Sequence, residues 1–433
     1  MLPAGRIGAL AERDFRLFWL GQTTSVFGDA LVPVALSFAV LDLTGSASDV
    51  GYVLAAHVVP LVVLVLAGGV WADRLPRQLV MLGSDAVRGS VQATAAVLLL
   101  TGAAELWQLV LLAALYGSAE AFFQPASTGL IPATVSAGRL QQANALLGLS
   151  RSSMFILGPA VAGVIVAAWN PGGAFAVDAG TFAVSVVSLA LLRVGRAEPA
   201  GRRSFLRELG EGWRELASRT WLWVLVAWSA TYLFAVAAPV QVLGPFVAKE
   251  SLGGARTWGF VLAAFSVGSL GGGALALRWR PARPMATCSL LVFLAAPTPL
   301  LLAFREPGIA IAAAQLASGV AMGFFMAVWQ TTLQREIPPD RLSRVSSYDW
   351  MGSLAFLPAG LALAGPVSDA IGIRTTLFVS AGWVVVSTAL VLLVPGVWAL
   401  RRREDEPAAE PVRAAAESEL VVRVTGAGVV HGR

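Results

Sequence analysis

Apolar residues run in long blocks along most of this 433-residue chain, and short polar stretches separate one block from the next. About 20 such residues in a helix cross the roughly 30 Å of hydrocarbon in a bilayer, at about 1.5 Å per residue. Twelve blocks reach that length. Six lie near 16–41, 50–71, 79–101, 106–130, 141–168 and 174–193. Six more lie near 221–247, 257–278, 285–303, 308–332, 345–367 and 375–397. The pattern predicts an all-α integral membrane protein with twelve transmembrane helices.

The second six blocks faintly repeat the first six. Gly51-Tyr52-Val53-Leu54-Ala55-Ala56 returns as Gly259-Phe260-Val261-Leu262-Ala263-Ala264, and Trp71 returns in register as Trp279. Ile131-Pro132 before Arg139-Leu140 returns as Ile337-Pro338 before Arg341-Leu342, and Leu157-Gly158-Pro159 has a looser echo in Phe356-Leu357-Pro358. Duplicated halves predict two pseudo-symmetric six-helix bundles with a substrate path between them, as in transporters. The expected organisation is a first bundle over 1–194, a linker over 195–220, a second bundle over 221–397 and a tail over 398–433. In the linker, Phe205, Leu209, Trp213 and Leu216 share one helical face, with Arg207, Glu208, Glu211 and Arg214 elsewhere. That pattern predicts a helix lying along the inner membrane surface. The tail, rich in Glu, Pro, Ala and Val, reads as disordered.

Composition agrees: 57% of residues are hydrophobic, 13% are charged, and mean hydropathy is +0.72. So few charges cannot cover a water-soluble surface, so lipid is the solvent for most of the chain. A pI near 10.1 would also suit a nucleic-acid binder, but the arginines sit in short loops. One set of loops holds Arg74, Arg77, Arg139, Arg278, Arg280, Arg283, Arg335, Arg341 and Arg344, with more in the linker and at Arg401-Arg402-Arg403. The alternate loops hold only Lys249, Arg256, Arg305 and Arg374. This asymmetry sets topology and places both termini in the cytoplasm, which requires an even number of spans. The first apolar block is too long for a cleavable signal and follows Arg6, Arg13 and Arg16. Cys288 stands alone, which leaves no disulfide framework or thiolate metal site. Two histidines, no phosphate-cradling glycine loop and no nucleotide-binding domain argue against an enzyme, a cofactor or direct ATP coupling.

Between the second and third blocks runs Gly69-Val70-Trp71-Ala72-Asp73-Arg74-Leu75-Pro76-Arg77-Gln78. It resembles the signature loop of the major facilitator superfamily, Gly-x-x-x-Asp-Arg-x-Gly-Arg-basic, with Pro76 and Gln78 as departures. The resemblance implies a conformational charge lock carried by Gly69, Asp73, Arg74 and Arg77. The corresponding loop of the second half, Trp279-Arg280-Pro281-Ala282-Arg283, lacks the acid. In the fifth block, Gly158-Pro159-Ala160-Val161-Ala162-Gly163 resembles part of the superfamily's antiporter motif, carried here by Gly158, Pro159 and Gly163. Small residues and a proline there also suit a bent, closely packed helix, and both readings stay open. Trp19-Leu20-Gly21-Gln22 with Gly28-Asp29, and Phe122-Phe123-Gln124-Pro125-Ala126 with Ile131-Pro132, resemble the branch of bacterial macrolide and siderophore exporters. The mid-membrane arginine that many drug/proton antiporters carry on the fourth helix is absent, since the stretch reads Tyr116-Gly117-Ser118-Ala119-Glu120.

An ionisable group at mid-membrane costs at least about 2.5–3.5 kcal/mol, so each one needs a reason. Asp29, Glu120 and Arg151 each lie about eleven to thirteen residues from a cytoplasmic helix end, which reaches roughly the midplane. Glu120 and Arg151 are expected to face each other as an ion pair across a short loop, either a structural pair or one that also titrates or breaks during transport, which makes both proton-coupling candidates. Asp29 has no evident base nearby, which makes it the foremost proton-coupling candidate. Asp85 and Arg88 read as a local pair near the inner end of the third helix. Asp178 reads as a cap, Asp349 with Arg344 as an inner gate or cap, and His57 as a buried, hydrogen-bonded imidazole. Trp19, Trp228, Tyr232, Phe325 and Trp329, with Gln241, are the candidates for an aromatic substrate cavity. Such a cavity suits bulky amphipathic molecules better than sugars or phosphates.

The leading reading is a monomeric secondary exporter of amphipathic small molecules, driven by proton antiport through alternating access, in a bacterial plasma membrane. An uptake carrier or uniporter of the same fold is the alternative within transport. A transport-inactive sensor or scaffold is the alternative outside it.

Overall fold

The computed structural model describes residues 8–193 and 213–401; the side chains of residues 66–70, 72–74, 339–340 and 343–344 lie outside that description. The first half comprises α1 (Arg13–Thr44), α2 (Ala47–Arg74), α3 (Arg77–Thr101), α4 (Leu106–Thr134), α5 (Leu140–Ala168) and α6 (Pro171–Ala190). The second comprises α7 (Thr220–Ser251), α8 (Ala255–Arg278), α9 (Pro284–Phe304) and α10 (Gly308–Glu336). It ends with α11 (Pro339–Leu354, continued by Leu357–Ile371) and α12 (Ile373–Leu392). Eleven helices among the described residues are long and apolar enough to cross a membrane. The remaining one, α3, has the length at 25 residues but carries Asp85, Arg88 and Gln92 mid-helix. All three are buried, so its polar groups face protein and not lipid.

Local signals set the helix ends. Ser46 accepts a hydrogen bond from the Asp49 amide at the start of α2, and Asn170 does the same for Gly173 at α6. Glu105 and Gln108 form a reciprocal capping box at α4. Gly45 and Gly102 stop α1 and α3 at φ of 66° and 71°, a conformation that favours glycine.

Close packing follows glycines, and it is equivalent in the two halves. A Cβ on Gly117 of α4 would lie 2.0 Å from the carbonyl oxygen of His57 on α2. In the second half, a Cβ on Gly319 or Gly323 of α10 would lie 2.1 or 1.9 Å from the carbonyl oxygen of Phe265 or Ser269 on α8. Absent side chains let backbones approach in lipid. Gly158 of α5 seats on Ala30 of α1, and Gly360 of α11 seats on Phe234 and Ala238 of α7.

The same logic joins the halves at the end opposite the arginine-rich loops. A Cβ on Gly51 would meet the carbonyl oxygen of Leu361 at 2.2 Å, and one on Gly259 that of Pro159 at 2.3 Å. Gly163 and Gly365 complete the seal against Ala255 and Ser48. Thus α2 packs on α11 and α8 on α5, a pseudo-twofold exchange. This register matches Gly158 and Gly163 with Gly360 and Gly365, so Pro159 corresponds to Leu361. The expected echo of Leu157-Gly158-Pro159 in Phe356-Leu357-Pro358 is therefore displaced, because the repeat is defined by contact glycines and not by prolines. Polar contacts reinforce the seal: Ser48 Oγ donates to Asp369 Oδ2 at 2.7 Å, and Lys249 Nζ donates to the Leu41 carbonyl at 2.7 Å and Asp42 Oδ1 at 2.5 Å.

Of the expected linker helix, residues 195–212 lie outside the described residues, as do the tail residues 402–433. Its last turn is helical. Trp213 packs on Tyr348 with centroids 5.9 Å apart. Glu215 accepts from Arg219 at 2.8 Å and from Arg341 at 2.7 Å. Those hydrogen bonds hold the Glu215 carboxyl below the usual carboxylate range.

Candidate functional site: two chemically unequal cavities

Two cavities run from the sealed end toward the arginine-rich end, one within each half. Their walls share Pro33, Leu54, Phe155 and Gln241, so they meet beneath the seal.

The first-half cavity has a volume of about 560 Å³. Its wall is a polar network drawn from five helices. Asp85 and Arg88, three residues apart on α3, form an ion pair with side chains 0% and 2% exposed. Asp85 also accepts from Ser185 of α6 at 2.6 Å. The Arg88 guanidinium lies over the rings of Phe123 and Phe182, 4.1 and 4.7 Å from their centroids. Its Nη1 is 3.7 Å from Asp29 Oδ2, while the Tyr116 hydroxyl donates to Asp29 Oδ1. Asp178, fully buried, accepts from Gln92 at 2.6 Å and from Thr181 at 3.2 Å. Glu120 Oε2 pairs with His57 Nε2 at 2.9 Å across α4 and α2.

Four sequence-based expectations change here. Asp29 does have a base, Arg88, contributed by a helix distant in sequence. Arg88 and Asp85 are a pair as expected, but they sit well inside the bundle and not at the inner end of α3. Asp178 is no cap, because Asn170 caps α6; it is a buried acid bonded to α3. Glu120 bonds His57, and no ion pair among the described residues joins it to Arg151. The cause is Gly117: its missing side chain brings α4 against α2, so Glu120 faces His57. Arg151 instead stays exposed on the cavity wall, 5.7 Å from the Phe155 ring.

The second-half cavity has a volume of about 700 Å³ and a different lining. Trp228 and Tyr232 of α7 and Phe325 and Trp329 of α10 line it together. Phe325 and Trp329 stack at 5.9 Å, and Trp228 lies 5.8 Å from Phe325 and 5.6 Å from Tyr232. A single π-helical turn, Leu233–Ala237, interrupts α7 beside these rings and helps form the wall. Gln241 and Gln330 add amides. Trp19 lies elsewhere: it is absent from both cavity walls, packs beside Phe15, and donates to Ser150 Oγ at 2.9 Å. Asp349 also departs from expectation, because it faces this cavity and accepts from Trp329 Nε1 at 2.9 Å. The side chain of Arg344 lies outside the described residues.

Of the lock residues, the side chains of Gly69, Asp73 and Arg74 also lie outside the described ones. Arg77 donates to the Gly129 carbonyl at 2.7 Å, and Gln78 donates to the Leu189 carbonyl at 2.7 Å. Gly158, Pro159 and Gly163 sit where α5 meets α1 and α8. Sequence reasoning missed Arg88 and Tyr116 as parts of the site. Their depth, about eleven residues into each helix, was the available signal.

The family profile for the Major Facilitator Superfamily matches residues 18–353. The chain belongs to this superfamily. It is a multi-pass membrane transporter and not an enzyme. It is 30% identical over 416 residues to the multidrug efflux pump Tap of Mycolicibacterium fortuitum, covering 91% of this chain and 98% of that protein. It is 23% identical over 384 residues to macrolide efflux protein A of Streptococcus pyogenes, covering 87% of this chain and 94% of the relative. Among solved structures it superposes on a mutant of the nucleoside transporter NupG with TM-score 0.69 at 14% identity, covering 87% and 98% of the two chains. It superposes on a bacterial homologue of the human lysosomal transporter Spinster, inward-facing and unoccupied, with TM-score 0.68 at 15% identity, covering 90% and 98%. These structural likenesses concern the fold alone.

Proposed function

We propose that the protein is a proton-driven exporter of amphipathic small molecules, acting as a monomer in a bacterial plasma membrane with both termini cytoplasmic. Arginine-rich loops mark the cytoplasmic end, so the glycine seal faces outward and the cavities open inward. The observation that carries this reading is the division of labour between the cavities. The first half places Asp29, Asp85, Glu120 and Asp178 around a single buried guanidinium, Arg88. Acid exceeds fixed base, and inside a membrane the surplus is compensated by protons or by solvent reaching the cavity. Asp29 and Glu120 touch the cavity and are the groups through which protons exchange. The second half offers aromatic walls for a bulky apolar body. Because the cavities meet at Gln241, a proton and a substrate compete for one conformational equilibrium without sharing ligands. Efflux pumps among the relatives, Tap and macrolide efflux protein A, support the outward direction.

The test is accumulation of a panel of drugs and siderophores in cells with and without the protein, repeated with an uncoupler. Lower accumulation that the uncoupler abolishes supports the reading. Higher accumulation with the protein would mean uptake, and no change for any compound would leave the sensor or scaffold alternative.

A further inference from the structure

The second cavity contains one charged group among the described residues that line it, the carboxylate of Asp349. The residue is 7% exposed. Its Oδ2 accepts from Trp329 Nε1 at 2.9 Å, and among the described residues no Lys, Arg or His side chain pairs with it. The contrast with the first half is sharp, since each acid there has a bonded donor network or a base. A buried carboxylate with one neutral donor is costly unless a counter-charge arrives. The rings around it supply the complementary surface. Trp329 bonds the acid directly and stacks on Phe325, which adjoins Trp228 and then Tyr232. Ring faces attract cations, most strongly in a desolvated setting. Acid and rings therefore favour the same guest.

We propose that Asp349, with the rings of Trp228, Phe325 and Trp329, forms the recognition site for the positively charged group of an organic cation. The substrate class is thereby narrowed from amphipathic molecules to lipophilic cations, protonated amines or permanently charged aryl-onium ions. Trp329 orients the acid by holding one oxygen, which leaves the other oxygen for the guest. The volume of about 700 Å³ admits a drug-sized body beside the charged group. This inference rests on the exporter reading given above.

The test uses the purified full chain and two probes of similar size and shape, cationic methyltriphenylphosphonium and uncharged triphenylphosphine oxide. The wild type is expected to bind the cation at least tenfold more tightly than the oxide. Asp349→Asn keeps an oxygen for the Trp329 indole but removes the charge, so the cation-to-neutral affinity ratio should fall at least tenfold. Asp349→Glu restores most of the ratio, which separates charge recognition from a packing defect. Equal wild-type affinity for both probes, or an unchanged ratio in Asp349→Asn, overturns the proposal while the exporter reading stands. A ratio lost in Glu120→Gln but kept in Asp349→Asn overturns it too, by placing cation recognition in the first cavity. If the wild type binds neither probe and moves no compound of the panel, the exporter reading itself has failed.

Discussion

At the scale of residues, the first-half network is a set of buried charges, each stabilised by partners on other helices. Arg88 is the hub: it pairs with Asp85, approaches Asp29 and lies on two rings. Removing one member of a buried pair strands the other, at a cost of about 3–5 kcal/mol. Arg88→Gln should therefore lower the thermal midpoint of the detergent-solubilised protein sharply and reduce the folded yield; a midpoint within a degree of wild type would remove Arg88 as the hub. Glu120→Gln is expected to fold normally by the same assay. Its amide still meets His57, and Arg151 is exposed to the cavity and needs no partner. A collapsed yield for Glu120→Gln would revive the Glu120–Arg151 pair expected from sequence. The sequence located Asp29 and Glu120 by depth, because helix rise converts position into height, but it put Asp85 and Arg88 too near the inner end of α3. It did not reveal which acid meets which base, because azimuth around each helix and the approach at Gly117 are set by tertiary packing.

At the scale of helices, glycines decide which end of the molecule is closed. Gly51 and Gly259 occupy equivalent positions in the repeated motif and each seats on a backbone carbonyl of the other half. A valine there collides with backbone, which cannot move aside as a side chain can. On the proposed orientation, Gly259→Val should therefore open the glycine seal and shift the population toward outward-facing states. A cysteine introduced at Val32, on the cavity wall below the seal, should then label from outside several-fold faster than in the otherwise unchanged background. Unaltered labelling would contradict the seal. At the arginine-rich end, the superfamily resemblance assigns a lock to Asp73. Asp73→Asn is expected to slow transport severalfold while substrate affinity changes little, because it biases the faces and not the pocket. Loss of binding with normal turnover of bound substrate would defeat that assignment. Nearby, Glu215 ties the linker's last turn to Arg219 and Arg341. Its carboxyl is held below the usual range, so the tie is complete above ordinary carboxylate pH values and is lost as pH falls through the depressed value. The apolar blocks and the repeat made the helices and the twofold pairing legible in the sequence. The displaced register of Gly360 was not, because the second half lacks a proline at the matching site.

At the scale of the whole molecule, duplication has produced two halves with one fold and two chemistries. One half keeps carboxylates and an arginine in its interior, and the other keeps aromatic rings. That difference was partly legible, since the sequence already placed midplane acids in the first half and aromatics mainly in the second. Asp349 was assigned to an inner gate or cap and not to the cavity, because a position near the start of a span reads as a group at the helix end until α10 is seen beside it. Arginine asymmetry predicts that residue 210 is cytoplasmic; impermeant labelling of a cysteine there from outside the cell would overturn the orientation and with it the inward-open assignment of the cavities. The central claim is that protons passing through the Asp29–Arg88–Glu120 cluster drive substrate out through the aromatic half. Reconstituted vesicles test it directly, with an imposed pH gradient and any compound that the accumulation panel identifies. The account predicts that the wild type moves the compound uphill against proton flow, whereas Asp29→Asn loses uphill movement and retains downhill exchange. Uphill transport by Asp29→Asn at the wild-type rate would contradict it.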